Sequence, residues 1–184
     1  NNNEQLKKLQ DDNLAVKEFM TIPNEAGDQM NAWILKPKNF DKNKKYPVFM
    51  FQYSGPGSQQ VSNSWDAGNG LWFNHLVQKG YLVVCVDGRG TGYKGTKYKK
   101  STYLNLGKYE IEDQITAAKW FGTQSYIDKS RIGIFGWSVG GYMSSLALTQ
   151  GADTFKMGIA VAPVTNWRYY DTVYTERFLK TPQE

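Results

Sequence analysis

The fold of this chain is decided by the stretch RIGIFGWSVGG at residues 131–141. It begins as an apolar strand, passes through a Gly-x-Ser-x-Gly motif centred on Ser138, and continues into YMSSLAL at residues 142–148, which is typical of a helix. A strand, a tight turn and a helix are the context of a nucleophile elbow, in which the serine hydroxyl projects from the carboxyl edge of a sheet. Gly136 and Gly140 leave room for the turn, because a Cβ at either position would collide with a neighbouring strand or helix. We therefore predict that Ser138 is a nucleophile rather than an incidental serine in a glycine-rich turn.

The composition is typical of one folded domain with no cysteine framework. The chain has 184 residues, of which 40% are hydrophobic, enough for a single core. Its one cysteine, Cys85, lies in an apolar run, which predicts a buried side chain and excludes an intrachain disulfide or a cysteine-based zinc site. The net charge of +5 comes mainly from lysines, half of which lie in two segments, residues 36–45 and 94–100. Nucleic-acid binding would favour arginines on a docking element, so we interpret these lysines as solvated and expect no nucleic-acid partner.

Apolar segments alternate with helical patterns along the chain. Residues 17–22 and 30–35 predict an antiparallel hairpin, residues 47–53, 81–86 and 157–161 predict buried strands, and residues 71–79 and 109–121 predict helices. This order predicts an α/β fold with a mostly parallel sheet and helices on both faces. Ligands of such sheets bind at the carboxyl ends of the strands, where Tyr53, Asp87, Ser138 and Ala162 fall.

The sequence lacks the base that a serine nucleophile needs. A serine hydroxyl becomes reactive when a base, itself oriented by a carboxylate, takes its proton. The only histidine, His75, precedes Ser138 and lies on a predicted helix. In α/β-hydrolases the order along the chain is serine, then Asp or Glu, then histidine. We therefore do not expect His75 to be catalytic, and the triad is incomplete in this sequence.

Four motifs carry a family resemblance that extends over essentially the whole chain. They are GWSVGGY at 136–142, EIEDQ at 110–114, DGRG at 87–90 and APVTNWRYYD at 162–171. With them the chain resembles the dipeptidyl peptidases of the prolyl oligopeptidase family of serine peptidases. The resemblance implies an α/β-hydrolase fold truncated before its last two strands. Residues 1–16 would be a linker from a preceding propeller domain and residues 17–184 the N-terminal part of the catalytic domain, with the triad Asp and His beyond residue 184.

The resemblance also implies roles for individual residues. The activity would be that of a serine exopeptidase that releases N-terminal dipeptides with Pro or Ala in second position, through an acyl-enzyme on Ser138. The Tyr53 hydroxyl and the Val139 N–H would form the oxyanion hole. Val139 stands where the family usually has a tyrosine, so the pocket wall loses a ring. The pocket for the proline or alanine side chain would be formed by Tyr170, Tyr174, Trp167 and Val164.

The same resemblance implies substrates and protein partners. It implies no cofactor. It implies proline-containing peptides as substrates, the remainder of the catalytic domain and a propeller as partners, a homodimer for the full-length protein, and a periplasmic or cell-surface location. The isolated 184-residue chain is expected to be inactive because it lacks a base. The alternatives are a tripeptidyl or acylaminoacyl peptidase, or a non-catalytic binding protein with this fold. A dinucleotide site at GTGYKG, residues 90–95, is disfavoured because no apolar helix follows it.

Overall fold

The computed structural model describes residues 3–11, 14–64 and 68–183. In that part of the chain, the strands are β1 Glu18–Pro23, β2 Gln29–Leu35, β3 Tyr46–Phe51, β4 Leu82–Asp87, β5 Ile127–Trp137 and β6 Met157–Val161. The α-helices are α1 Asn3–Asp11, α2 Gly70–Gln78, α3 Gly95–Lys100, α4 Lys108–Gly122, α5 Val139–Gln150 and α6 Thr172–Leu179, with a 3₁₀ turn at Trp167–Tyr169 before α6.

The six strands form one mixed sheet in the order β1-β2-β4-β3-β5-β6. β1 pairs antiparallel with β2, and β2 pairs antiparallel with β4, which confirms the predicted hairpin. β4, β3, β5 and β6 run parallel to one another, as the alternation of strands and helices predicts. The carboxyl ends of these four strands therefore lie along one edge of the sheet, and the loops that follow them build the candidate site.

Helices cover both faces of the sheet, because side chains alternate between two cores. On β3, Val48 and Met50 belong to the core that also contains residues of α4 and α5. Phe49 and Phe51 belong to the opposite core, which contains Phe73 of α2. Both sets are almost completely buried. A strand covered on both faces must be apolar at every position, which explains the continuous hydrophobic runs in the sequence.

Some elements differ from the expectations drawn from the sequence. The helix α3 lies in residues 93–108, a segment that has no clear period, and its side chains other than Tyr98 are not buried. A six-residue helix with little burial has no apolar stripe, so periodicity does not detect it. β5 is also longer than expected: it starts at Ile127, and its register shifts where it pairs with β3 near Tyr46 and Val48. Within the segment interpreted as a linker, residues 3–11 form the helix α1, and residues 1, 2, 12 and 13 lie outside the described residues.

β6 is the last strand of the sheet in the described part of the chain. It pairs with β5 on one side, and no described strand pairs with its other side. Met157 is 45% exposed and Ile159 is 38% exposed. The expectation that further strands pair beyond residues 157–161 stays a prediction. Among the described residues, no helix combines the length and the apolar character that a membrane crossing requires.

Candidate active site

Ser138 lies in a strained turn between β5 and α5. Its backbone has φ 58° and ψ −114°, and it is the N-cap residue of α5. A non-glycine residue in this region costs on the order of 1–3 kcal/mol and persists only where the surrounding structure enforces it. Here the Ser138 N–H donates to the carbonyl oxygen of Val161 at 2.9 Å, and the Ser138 carbonyl accepts from the Tyr142 N–H at 3.0 Å. These bonds fix the turn, and Ser138 remains partly exposed at the end of its strand.

The glycines of the motif are required by close packing. A Cβ at Gly136 would overlap the carbonyl group of Gly140, and it would lie 2.5 Å from Nε2 of Gln52. A Cβ at Gly140 would lie 2.6 Å from the carbonyl oxygen of Gln52 and 3.2 Å from Cα of Tyr53. The distances of 2.5 and 2.6 Å are shorter than real contacts of a Cβ, and 3.2 Å is tighter than most of them, so α5 can approach β3 this closely because both positions are glycine. The packing agrees with the role that the sequence predicts for both glycines.

Backbone strain marks the ends of three parallel strands. Ser54 after β3, Ser138 after β5 and Ala162 after β6 have φ values of 61°, 58° and 43°. Residues in such conformations cluster at functional sites, where strain holds groups in place for chemistry. These three strands are neighbours in the sheet. The strained residues therefore lie at the same edge of the sheet as the Gly-x-Ser-x-Gly motif, and both features indicate a functional site there.

Tyr53 and Val139 lie on either side of the contact between β3 and α5. Tyr53 follows β3 by two residues, and its ring lies against Gly55, where a Cβ would meet ring carbons. The Tyr53 hydroxyl is close enough to Tyr174 to raise the pKa of that phenol, which burial raises already. Val139 is buried and is the first residue of α5. Its N–H is one of the first four of the helix, which have no acceptor within it.

The predicted pocket residues form one aromatic cluster beside the turn. The rings of Trp167 and Tyr174 are stacked, with centroids 5.6 Å apart and an angle of 10° between their planes. Tyr170 meets both rings edge-on, at 6.0 Å from Trp167 and 5.5 Å from Tyr174. Val164 is buried, and its N–H donates to the carbonyl oxygen of Ser138 at 3.4 Å. The structure thus brings the three aromatic residues together and places Val164, a few residues before them in the chain, against Ser138.

Two members of this cluster were missed in the sequence. Phe178 lies edge-on to Tyr174 at 4.8 Å, and Tyr142 lies edge-on to Trp167 at 5.7 Å. Tyr142 is four residues after Ser138, one helical turn along α5, so its spacing was a usable signal. The Tyr142 hydroxyl also packs against Gly107, at the start of α4. The cluster therefore rests on both α4 and α5.

The buried carboxyl group of Glu110, on α4, lies behind the contact between Tyr142 and Gly107. Glu110 is 1% exposed, and its Oε2 accepts a hydrogen bond from the Gly107 N–H at 3.0 Å. Burial raises the pKa of Glu110 to about 8, although its hydrogen bonds with backbone N–H groups act in the opposite direction. Glu110 is also near enough to Tyr142 and Tyr174 to raise the pKa of both phenols. We interpret Glu110 as a structural group behind the cluster.

Asp87, at the end of β4, holds a loop in place. Among the described residues, no hydrogen bond joins its side chain to Ser138. Its Oδ2 accepts from the N–H groups of Gln60 at 2.9 Å and Val61 at 2.8 Å. Burial raises the pKa of Asp87 to about 6, and these two hydrogen bonds lower it in part. The carboxylate therefore anchors the segment that returns from Tyr53 towards α2.

An ion pair fixes the loop after β4 to α4. Arg89 donates from Nη2 to Oδ1 of Asp113 at 2.7 Å, and the Arg89 N–H donates to Oδ2 at 2.7 Å. The Asp113 side chain is 1% exposed and that of Arg89 is 12% exposed. Asp113 raises the pKa of Arg89, although desolvation opposes it. Neither partner is tolerable alone at such burial, so the pair acts as one structural unit.

The structure places no histidine at Ser138. His75 lies on the exposed side of α2, and no hydrogen bond joins it to Ser138 in the described part of the chain. Of the acids after Ser138, Asp171 caps α6 by accepting from the Tyr174 N–H at 2.8 Å. Residues 3–11, 14–64 and 68–183 contain no cluster of three His, Cys, Asp or Glu side chains that could hold a metal ion.

The strained Ser138 turn at the carboxyl edge of a mixed sheet, followed directly by a helix, is typical of the α/β-hydrolase fold. The sequence model of the prolyl oligopeptidase family matches residues 70–184, and the chain belongs to that family.

Two kinds of relative support this assignment. A protein of Arthroderma benhamiae named "probable dipeptidyl-aminopeptidase B" is 48% identical over 183 residues, which are 98% of this chain and 20% of the relative. Its namesake in Podospora anserina is 46% identical over 99% of this chain and 19% of its own length. The crystal structure of Porphyromonas gingivalis dipeptidyl peptidase 4 matches with a TM-score of 0.91 and 49% identity, over 100% of this chain and 26% of that one. The chain thus spans about a fifth of the length of the curated relatives it matches.

Proposed function

We propose that this chain is the nucleophile-bearing part of a serine dipeptidyl peptidase that releases N-terminal dipeptides with proline or alanine in second position. Ser138 Oγ attacks the carbonyl carbon of the second residue and loses its proton to a general base. The resulting oxyanion accepts hydrogen bonds from the Tyr53 hydroxyl and the Val139 N–H. When the oxyanion collapses, the bond to the leaving nitrogen breaks, the base returns the proton to that nitrogen, and an ester on Ser138 remains. Water then hydrolyses this acyl-enzyme.

The observation that carries the proposal is the link between the strained nucleophile turn and the aromatic cluster. Val164 donates to the carbonyl oxygen of Ser138, and Val164 adjoins the segment that carries Trp167, Tyr170 and Tyr174. A substrate carbonyl next to Ser138 would therefore place the side chain of the same residue among these rings. This is the geometry that an acylating enzyme with an apolar pocket needs.

The chemistry of the cluster favours proline or alanine over charged side chains. Trp167, Tyr170 and Tyr174 present ring faces and edges, and burial raises the pKa of Tyr174, so this phenol stays neutral at physiological pH. A pyrrolidine ring buries apolar area against such rings without losing hydrogen bonds, whereas a charged side chain would lose its hydration. The replacement of the usual tyrosine by Val139 leaves the backbone N–H in place and removes one ring from the wall.

We propose that the base comes from residues outside this sequence, as in the family order of serine, acid and histidine. His75 lies on an exposed helix face and precedes the nucleophile, so it does not supply the base. The same proposal includes a propeller domain before residue 17, strands that pair with β6, and a homodimeric, extracytoplasmic full-length protein. The 184 residues alone are then inactive, because Ser138 has no base.

A substrate panel tests the proposal on the full-length protein. The panel contains chromogenic amides of Gly-Pro, Ala-Ala and Gly-Lys, a tripeptide amide and an N-acetylated amino-acid amide. We expect cleavage of Gly-Pro and Ala-Ala amides, little cleavage of Gly-Lys, and none of the last two. Preference for the tripeptide or the acetylated substrate would favour the tripeptidyl or acylaminoacyl alternatives, and no cleavage at all would favour a non-catalytic relative.

Two variants test the pocket. Trp167→Ala removes the stacked ring, and we expect a rise in KM for Gly-Pro amides of about tenfold, since a stacked contact contributes about 1 kcal/mol beyond the area it buries. Tyr169→Ala is the matched control, because Tyr169 is 85% exposed and makes no contact in the cluster. Equal effects of the two substitutions would contradict the assignment of the pocket.

A further inference from the structure

Four buried polar side chains lie between β3, α4 and α5, behind the candidate site. Gln52, Gln114 and Ser144 are 0% exposed, and Ser54 is 3% exposed. Burying neutral polar groups in a core costs several kcal/mol unless they are hydrogen-bonded. Gln114 Nε2 donates to Ser54 Oγ at 3.2 Å and to the carbonyl oxygen of Val86 at 3.0 Å, while Gln114 Oε1 has no partner in the described structure.

Gln52 connects this network to the nucleophile helix. Its Nε2 donates to the carbonyl oxygen of Gly140 at 2.7 Å and to Ser144 Oγ at 3.3 Å. Its Oε1 accepts from Ser54 Oγ at 3.0 Å. One amide therefore joins the last residues of β3 to the first and second turns of α5. Gln52 and Ser54 flank Tyr53 in the sequence, so both neighbours of this tyrosine are held by side-chain hydrogen bonds.

The amide of Gln52 occupies space that the motif itself provides. A Cβ at Gly136 would lie 2.5 Å from Gln52 Nε2, so the first glycine of Gly-x-Ser-x-Gly makes room for this side chain as well as for the turn. The backbone of Gln52 is equally close to α5, since a Cβ at Gly140 would lie 2.6 Å from its carbonyl oxygen. The distance between the Tyr53 segment and the Ser138 turn is thus set at Gln52, by its backbone and by its side chain.

We propose that Gln52 is a positioning residue. It holds the Tyr53 hydroxyl at the distance from Ser138 that oxyanion stabilisation requires, and its hydrogen bond with Ser54, which also bonds to Gln114, keeps it in place. This inference rests on the proposed role of Tyr53 in the oxyanion hole. Gln52 touches no substrate; it acts through the backbone on either side of Tyr53. An apolar residue of the same length fills the same space and keeps the fold, but it leaves the end of β3 free to shift against α5.

A double-mutant cycle in the full-length protein tests the inference. Gln52→Met keeps the length of the side chain and removes its three hydrogen bonds. We expect it to lower kcat about tenfold with KM unchanged within about twofold, the pattern of an interaction made only in the transition state. In a Tyr53→Phe background, we expect Gln52→Met to have almost no further effect on kcat, because the group that it positions is absent. The same fold-loss in both backgrounds, or an unchanged kcat, would overturn the inference.

Two controls separate positioning from loss of stability. Ile22→Val lies in the core on β1, which β2 and β4 separate from β3, and it should lower Tm without lowering kcat. If Gln52→Met does not fold, Ser54→Ala takes its place in the same cycle, because it removes the bond between Ser54 Oγ and Gln52 Oε1 with little change in volume.

A spectroscopic measurement decides the inference if the protein cleaves no peptide. 3-Fluorotyrosine at position 53 of the full-length protein reports the environment of the ring by ¹⁹F NMR. We expect one narrow resonance with Gln52 present, and a broadened or divided resonance in Gln52→Met. An unchanged resonance would overturn the inference on positioning, whereas inactivity towards peptides with a changed resonance would overturn only the proposed function.

Discussion

The substitution Gly140→Ala tests the contact that brings the nucleophile turn and the Tyr53 segment together. The new Cβ would lie 2.6 Å from the carbonyl oxygen of Gln52 and 3.2 Å from Cα of Tyr53, both of them backbone atoms. Backbone atoms of a central strand cannot rotate away as a side chain can. The end of β3 must therefore move from α5 by about 0.8 Å, the difference between 2.6 Å and an ordinary contact distance of about 3.4 Å.

The expected magnitude follows from two opposing terms. Overpacking costs about 1–3 kcal/mol, and alanine in place of glycine favours the helix by up to about 1 kcal/mol. We expect a net loss of about 1 kcal/mol in the free energy of unfolding. The loss of activity should be larger, because a displacement of about 1 Å in an active site can lower the rate about 100-fold. For a displacement of nearly that size, we expect kcat to fall at least tenfold.

Steady-state kinetics with a Gly-Pro amide and urea denaturation of the full-length protein measure the two effects. Gly122→Ala is the matched control, because Gly122 is the last residue of α4 and its Cβ would meet only the Lys129 side chain, at 3.3 Å, and Ile132 at 3.9 Å. The control should retain kcat. If Gly140→Ala keeps kcat within twofold of the unmodified protein, the close approach of β3 and α5 has no catalytic role.

Three further perturbations test separate parts of the structure. Tyr53→Phe should lower kcat about 10²-fold with little change in KM, because it removes one donor to the oxyanion. Between pH 6 and 8, Glu110 stays protonated in the folded chain, where its pKa is raised to about 8, and is ionised in the unfolded chain. The free energy of unfolding therefore falls as pH rises, and Glu110→Gln should make this pH dependence flatter. Stability falls there as pH rises, by about 1.4 kcal/mol per pH unit for one proton, and Asp87 adds to the fall only below about pH 6. Arg89→Met should lower the free energy of unfolding by about 3–5 kcal/mol, because it leaves the buried Asp113 carboxylate unpaired.

Each of these expectations has a control and a result that would contradict it. Tyr103→Phe, at a partly exposed tyrosine, should leave kcat unchanged, and an equal loss from both phenylalanine variants would refute the role of Tyr53. Glu176→Gln on exposed α6 should keep the pH slope, and a slope that persists in Glu110→Gln would assign the titration elsewhere. Asp113→Asn in the Arg89→Met background should recover part of the stability, and no recovery would show that the loss does not come from an unpaired charge.

The parts of the fold that sequence predicts are those with strong local constraints. The strands at residues 81–86 and 157–161 are continuous apolar runs, and both exist with nearly those bounds. The nucleophile elbow is predicted because the close contacts at Gly136 and Gly140 require glycine, and the two glycines form a short motif with Ser138. The four pocket residues fall in one short segment, so a resemblance over that segment finds them together. In contrast, α3 has six residues and little burial, and no pattern of its own.

The network behind the site is not predictable from the sequence because its members are far apart and chemically ordinary. Gln52 and Gln114 are 62 positions apart along the chain, and a glutamine in a strand or a helix usually faces solvent. Only the packing of α4 and α5 against β3 makes both buried. Glu110 is similar: its position at the start of a helix suggests a capping carboxylate, but its burial against Tyr142 depends on how the two helices pack.

The reactivity of Ser138 towards a fluorophosphonate, mapped by peptide mass spectrometry in the full-length protein, tests the account most directly. We predict stoichiometric labelling at Ser138, no labelling of Ser138→Ala, and a slower second-order rate of labelling in Tyr53→Phe. A protein that folds and leaves Ser138 unlabelled, or that carries the label at another residue, would contradict the assignment of Ser138 as the nucleophile.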